Sequence, residues 1–150
     1  MAQDQVAADE VRTLYRALLS RWNERDARGF SALFLDEGNV VGFDGSQMDG
    51  REAIEKSLAP IFASHPTRPY VGIVREVRSL GPDVVLLRAV AGMYPPETKR
   101  VDPAVNAVQS LIAVKRGPGW RIALFHNTPA ALHGRPEAVE SLTRELQSAL

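Results

Sequence analysis

Val11, Leu14, Leu18 and Trp22 recur at spacings of three and four residues, which places them on one stripe of a helix over about Asp4 to Glu24. Asp26 can cap a second, shorter helix through Phe30, Leu33 and Phe34, with Gly38 as its stop. Gly29 inside that helix costs about 1 kcal/mol relative to alanine. Asn39 to Phe43 then reads as a strand, because Asp44-Gly45 behind it is a hairpin-turn dipeptide, and a brief return strand through Met48 follows. Asp49-Gly50-Arg51-Glu52 has the spacing of a capping box and predicts a third helix on the stripe Ile54, Leu58, Ile61 and Phe62. Pro60 lacks a backbone donor, so that helix should kink or shorten near Ala59.

From Tyr70 the period changes to that of strands. Four runs, Tyr70–Leu80, Val84–Tyr94, Val105–Arg116 and Trp120–Asn127, are separated by Gly81-Pro82-Asp83, Tyr94-Pro95-Pro96 and Gly117-Pro118-Gly119. Such short connections cannot make parallel crossovers, so the expected sheet is antiparallel and the fold α+β, with helices gathered early in the chain. Pro136 opens a last helix, about 136–150, with Val139, Leu142, Leu146 and Leu150 along one edge. No repeat or internal boundary divides residues 1–150, which read as a single domain with its core over about 10–130.

Both faces of the sheet are apolar. Strict alternation in the last strand sets Trp120, Ile122, Leu124 and His126 against Arg121, Ala123, Phe125 and Asn127, and Val84 to Met93 is greasy on both sides as well. A sheet with one wet face alternates more cleanly. The early helices can cover one face, whereas the last helix is too short to cover the other, so a homodimer through the outer sheet face is expected. A long twisted sheet folded over helices also leaves a conical hollow where a ligand could sit.

Composition narrows the classes. With 18 basic and 18 acidic residues among 150, the chain offers no electrostatic footprint for nucleic acid. It has no cysteine, hence no disulfide, thiolate nucleophile or Cys-based zinc site. The first ten residues hold Asp4, Asp9 and Glu10 but no base, unlike a signal peptide, and Arg88 interrupts the purest apolar run, Val84 to Leu87. The expectation is a cytoplasmic protein with no membrane partner, and the excess of arginine over lysine suggests a GC-rich bacterial genome.

The order helix, helix, strand, helix, long strands, with Gly50-Arg51-Glu52-Ala53-Ile54 opening the third helix and Gly119-Trp120-Arg121-Ile122-Ala123 opening the last strand, resembles the nuclear transport factor 2-like superfamily. Trp22-Asn23, Phe43-Asp44-Gly45, Asn106-Ala107-Val108-Gln109 and His126-Asn127-Thr128-Pro129 are similar to its SnoaL-like branch and the SgcJ/EcaC family. The resemblance, over about residues 10–130, implies a cone-shaped, cystatin-like α+β barrel, usually dimeric, with a pocket at its open end. It leaves the reaction open, because relatives of this fold include isomerases, dehydratases, cyclases, epoxide hydrolases and non-catalytic modules. No cofactor site is evident in the sequence.

Enzymes of this fold need a carboxylate or imidazole base facing an oxyanion donor. Asp44 is the first acid to test, although an Asp-Gly turn needs that residue for backbone reasons alone. His126 has an imidazole suited to a general base. However, alternation sets it apart from Phe125 and Asn127, the side that the resemblance turns toward the hollow. A turn centred on Pro118 pairs Gln109 with Asn127 and Leu111 with Phe125, setting two amides side by side. Amides orient a ligand carbonyl or hydroxyl but do not abstract protons; alternatively they bond each other and nearby backbone.

Trp22, Phe43 and Met93 either wall a ligand or complete the core. Arg88, in an apolar strand, needs a partner, and Glu76 on the neighbouring strand is the candidate. Metal, nucleotide and serine-nucleophile motifs are absent from the sequence. Two readings stay open: a cofactor-independent isomerase, cyclase or dehydratase of secondary metabolism acting on an apolar small molecule, or a non-catalytic dimeric binding or assembly module.

Overall fold

The computed structural model describes residues 2–150. Helices α1 (Ala2–Asn23) and α2 (Ala27–Ser31) lead into strand β1 (Phe34–Val41) and a short return strand, β2 (Gln47–Asp49). Helix α3 (Arg51–Ser64) follows, then β3 (Tyr70–Gly81), β4 (Val84–Met93), a single helical turn at Pro103–Val105, β5 (Ala107–Arg116), β6 (Gly119–Pro129) and α4 (Pro136–Ser148). The six strands form one sheet in the order β2-β1-β6-β5-β4-β3. The expected α+β fold is present, with α1 to α3 packed in the curve of the sheet and the extra C-terminal helix outside it.

One pairing overturns an expectation. β1 and β6 run parallel, so the sheet is mixed rather than wholly antiparallel. The short-connection argument holds for sequential strands, and β1 meets β6 only after the chain has passed through α3 and four other strands. Asp26 does cap α2, its carboxylate accepting from the Gly29 amide at 2.8 Å. The helix ends at Ser31, however, and Phe34 and Gly38, assigned to it from the sequence, belong to β1. Gly38 sits at a register break in that strand, where a Cβ would come within 2.7 Å of the Ile122 carbonyl oxygen.

Two other local signals resolve differently from the sequence reading. Gly50, at φ 101°, is the N-cap of α3, and the proposed capping box does not form. Asp49 instead accepts from Asn39 Nδ2 at 2.8 Å, and Glu52 pairs with Lys56. Pro60 does not shorten α3, which continues to Ser64.

Gln109 lies opposite Asn127 and Leu111 opposite Phe125, the pairs expected, but not through a turn centred on Pro118: the turn pairs Arg116 with Gly119 and Lys115 with Trp120, one residue short of that register, and an extra residue further along β6 makes up the difference. Strict alternation along β6 fails nevertheless. Ile112 faces Leu124 while Ala113 faces Ile122, so Ala123 is an extra residue, and such a bulge inverts the phase of the side chains. Trp120 and Ile122 therefore share the buried inner face with Phe125 and Asn127, and His126 is left exposed on the outer side.

The inner face and helices enclose the main core around Tyr15, Leu18, Phe34, Ile54, Leu87 and Leu111. A second cluster lies outside the sheet, where Leu142 and Leu146 of α4 cover Val71, Val90 and Val101. Arg75 on β3 and Glu145 on α4 make a two-bond ion pair, and Gln147 holds the Val101 amide and the Lys99 carbonyl. Beyond α4 the outer face carries the cross-strand row Leu86, Ile112 and Leu124, all half-buried. Arg88 meets Glu76 there at 3.2 Å, as expected, with Arg78 on the same carboxylate. None of the described helices is long and apolar enough to cross a membrane.

Candidate functional site

A cavity of about 310 Å³ lies between the helices and the inner face of the sheet. Leu18 and Trp22 of α1, Leu58 and Ile61 of α3, and Val40 and Phe125 of the sheet supply apolar walls. Exposed Asp44 and Ser46, on the β1–β2 turn, mark its mouth. These walls follow from the sequence stripes: the residues that bury α1 against the sheet extend, one turn further on, past the end of the packed core.

Trp22 is fixed on three sides. Its ring packs edge-on against Phe62 at 5.1 Å and Phe30 at 6.4 Å and leans on Tyr70 at 5.6 Å, while its indole N–H donates to the Arg68 carbonyl at 3.0 Å. Phe43 and Met93 line the same space. Leu111 does not; it is sealed in the core behind the cavity.

A row of four hydrogen-bonded side chains runs from the core to the cavity wall. Tyr15 Oη donates to Gln109 Oε1 at 2.6 Å, Gln109 Nε2 donates to Asn127 Oδ1 at 3.2 Å, and Asn127 Nδ2 donates to Tyr70 Oη at 3.0 Å. Asn127 and Tyr70 line the cavity, whereas Gln109 and Tyr15 stand behind them, each 1% exposed. Burial raises the pKa of both phenols, so both stay protonated. Breaking such a buried row costs about 1–3 kcal/mol for each group left unpaired.

The two expected catalytic groups are not brought together. Asp44 reaches the mouth, but its Oδ1 accepts from the Ser46 amide at 2.9 Å, and that bond holds the carboxyl below the usual aspartate range. An exposed carboxylate so stabilised is a weak base. His126 lies on the opposite side of the sheet from the cavity, because alternation beyond the bulge points it outward. Asp44 is the sole carboxylate among the described lining residues, which include no imidazole, lysine or arginine. Among the described residues no three His, Asp or Glu side chains converge as a metal site would require.

Tyr15 and Tyr70 escaped the sequence reading. A signal for each was present: Tyr15 lies four residues after Val11 and three before Leu18, on the buried stripe, and Tyr70 opens an inward-facing strand after Pro69. A phenol on a buried face needs a hydrogen-bond partner.

Residues 11–132 match the model of the SnoaL-like domain. The chain belongs to the SnoaL-like family. The match is to that domain as a whole, so the narrower likeness to the SgcJ/EcaC family rests on sequence motifs alone. No protein of curated function matches this SnoaL-like chain. Among solved structures it is similar to a domain of unknown function with a cystatin-like fold from Nostoc punctiforme, at 21% identity and TM-score 0.78, covering 99% of this chain and 97% of that one. An uncharacterised protein with a cystatin-like fold from Caulobacter vibrioides gives 23% identity and TM-score 0.68, covering 89% and 93%. A ketosteroid isomerase-like protein from Erwinia carotovora gives 17% and 0.68, covering 82% and 95%. At these identities the likeness establishes the cystatin-like fold and carries no reaction with it.

Proposed function

We propose that this SnoaL-like chain binds a small, largely apolar molecule in its cavity without a cofactor, and does so as a homodimer through the outer sheet face in the bacterial cytoplasm. The observation that carries the binding reading is the composition of the wall: aliphatic and aromatic side chains with one polar strip, Asn127 and Tyr70, set into them. Such a space favours an aromatic or fused-ring ligand, which gains roughly 25 cal/mol for each Å² of apolar surface removed from water.

The wall supports binding more than turnover. Proton abstraction needs a base inside the dry part of the site, and the one carboxylate of the lining sits at the mouth with its charge already stabilised. Dimerisation is supported by the row Leu86, Ile112 and Leu124, whose side chains the chain itself covers only in part.

Thermal-shift screening with neutral bicyclic aromatics tests this function. A ligand at 100 times its dissociation constant adds about 2.7 kcal/mol of stability. The expected result is a shift that disappears in Ile61→Trp, which fills the cavity. A library without effect on the wild-type protein would defeat the reading.

A further inference from the structure

The row Tyr15–Gln109–Asn127–Tyr70 has two unlike ends. Tyr15 is enclosed in the core and has Gln109 as its hydrogen-bond partner, whereas Tyr70 lines the cavity. Because a side-chain amide can be turned over, two directions are available to such a row. In one, hydrogens point from Tyr15 toward Tyr70. In the other, Gln109 presents its N–H to Tyr15 and Asn127 presents its carbonyl to Tyr70.

The buried end decides between them. In the second direction the Tyr15 hydroxyl hydrogen has no acceptor, and neither water nor a ligand reaches a side chain that is 1% exposed. In the first, one hydrogen from each residue along the line is taken up by the next, and the unspent hydroxyl hydrogen is that of Tyr70, for which the described residues supply no acceptor. That hydrogen belongs to a residue of the cavity wall, where a bound molecule can accept it.

We infer that Tyr15, which lines no part of the cavity, fixes the polarity of the row and makes the site select ligands that carry a hydrogen-bond acceptor, such as a ketone or ester carbonyl, over ligands offering only a donor. The inference rests on the binding reading above and adds the ligand's chemical class. Tyr15 is a positioning residue, and Tyr70 is the group that meets the ligand.

Three probes of similar shape test it by calorimetry: methyl naphthyl ketone as acceptor, isopropylnaphthalene as neither, and isopropylindole as donor. Wild-type protein should bind the ketone about tenfold more tightly than the hydrocarbon, and the indole no more tightly than the hydrocarbon. In Tyr15→Phe the buried constraint is gone, the row reverses so that Asn127 accepts from Tyr70, and the ketone's advantage should fall while the indole gains. An equal ketone advantage in both proteins, or none in the wild type, overturns the inference. Binding of none of the three removes the binding reading itself. Should Tyr15→Phe fold poorly, nuclear Overhauser effects in the wild-type protein serve instead. The Asn127 amide protons should lie against the Tyr70 ring, and an Asn127 carbonyl facing Tyr70 overturns the inference.

Discussion

The side-chain amides of Gln109 and Asn127 face each other directly across β5 and β6, Nε2 of the first donating to Oδ1 of the second at 3.2 Å. Gln109 is sealed behind the wall, so it cannot exchange Asn127 for water. A pair of this kind ties the register of two strands to the state of the cavity wall, because Asn127 lines the cavity and Gln109 does not.

Replacing Gln109 by leucine keeps the volume near constant and leaves the Tyr15 hydroxyl and the Asn127 carbonyl unpaired. The expected loss is about 2–4 kcal/mol in urea unfolding. Adding Tyr15→Phe removes one of the two orphans, so the double variant should be more stable than Gln109→Leu alone. If it is less stable, the hydrogen bond from Tyr15 contributes nothing of consequence.

Gly72 on β3 makes room for the same hydroxyl. A Cβ there would come within 2.5 Å of Tyr15 Oη and 2.7 Å of Leu19 Cδ1. Gly72→Ala should therefore destabilise by about 1–3 kcal/mol through overpacking and push Tyr15 off Gln109. In Tyr15→Phe the nearest clashing atom is absent, and the same alanine should be better tolerated. Equal penalties in the two backgrounds would show that the hydroxyl is not the obstacle.

That β5 and β6 form a hairpin was legible in the chain from the tight turn at Gly117-Pro118-Gly119, but the turn pairs Arg116 with Gly119, and Gln109 meets Asn127 only because Ala123 adds a residue beyond it. The helical stripes of α1 and α3 were legible for a similar reason, being local and periodic. Three features were not. The extra residue Ala123 has no local signature, and it alone decides that Trp120 shares a face with Phe125. The parallel pairing of β1 with β6 depends on how the sheet closes over the helices, which no spacing encodes. Phe30, Leu33 and Phe34 fit a helical stripe, but the chain turns at Ala32, and Phe34 enters the core from a strand. The site suffered in proportion: the pairing of Asn127 with Gln109 was reached from a turn centred on Pro118 and stands only because the bulge at Ala123 offsets the actual turn, while Tyr70 and Tyr15 needed knowledge of which groups the fold would bury together.

Asp44→Asn separates the turn from the chemistry. An asparagine side-chain oxygen can still accept from the Ser46 amide, so the β1–β2 turn and the melting temperature should be almost unchanged. Under the binding reading, affinity for an apolar probe should be unchanged too. A reaction that Asp44→Asn abolishes without loss of probe binding would assign the carboxylate a role as base.

Acid should loosen α4 before the rest. The Glu145 carboxyl is held below the usual glutamate range by hydrogen bonds from Arg75. A carboxyl depressed by folding stabilises fully above its unfolded value of ~4.3, and that contribution is lost as pH falls through the folded value. Glu37, Glu52, Glu76 and Asp44 are depressed in the same direction, so stability should be level from neutrality to about pH 5 and decline below it. Amide exchange in α4 should accelerate first, since Glu145 ties that helix to β3. Glu145→Gln should remove that early step, and α4 exchange that follows the core at every pH would contradict the assignment.

Ile112 stands at the middle of the outer row, with Leu86 and Leu124 as its cross-strand neighbours. The side chain is half-buried and points away from the core, so a glutamate there remains solvated in an isolated subunit. In a dimer joined through this face, the same glutamate would meet an apolar surface, and near a twofold axis its own copy, at a cost of several kcal/mol. Ile112→Glu should therefore sediment as a folded monomer at concentrations where the wild-type protein sediments as a dimer. A substitution in the sealed inner face, Leu111→Glu, should unfold the chain instead. Should the wild-type protein sediment as a monomer at micromolar concentration, the outer face is simply a tolerated apolar surface, and the proposed assembly fails while the cavity reading stands.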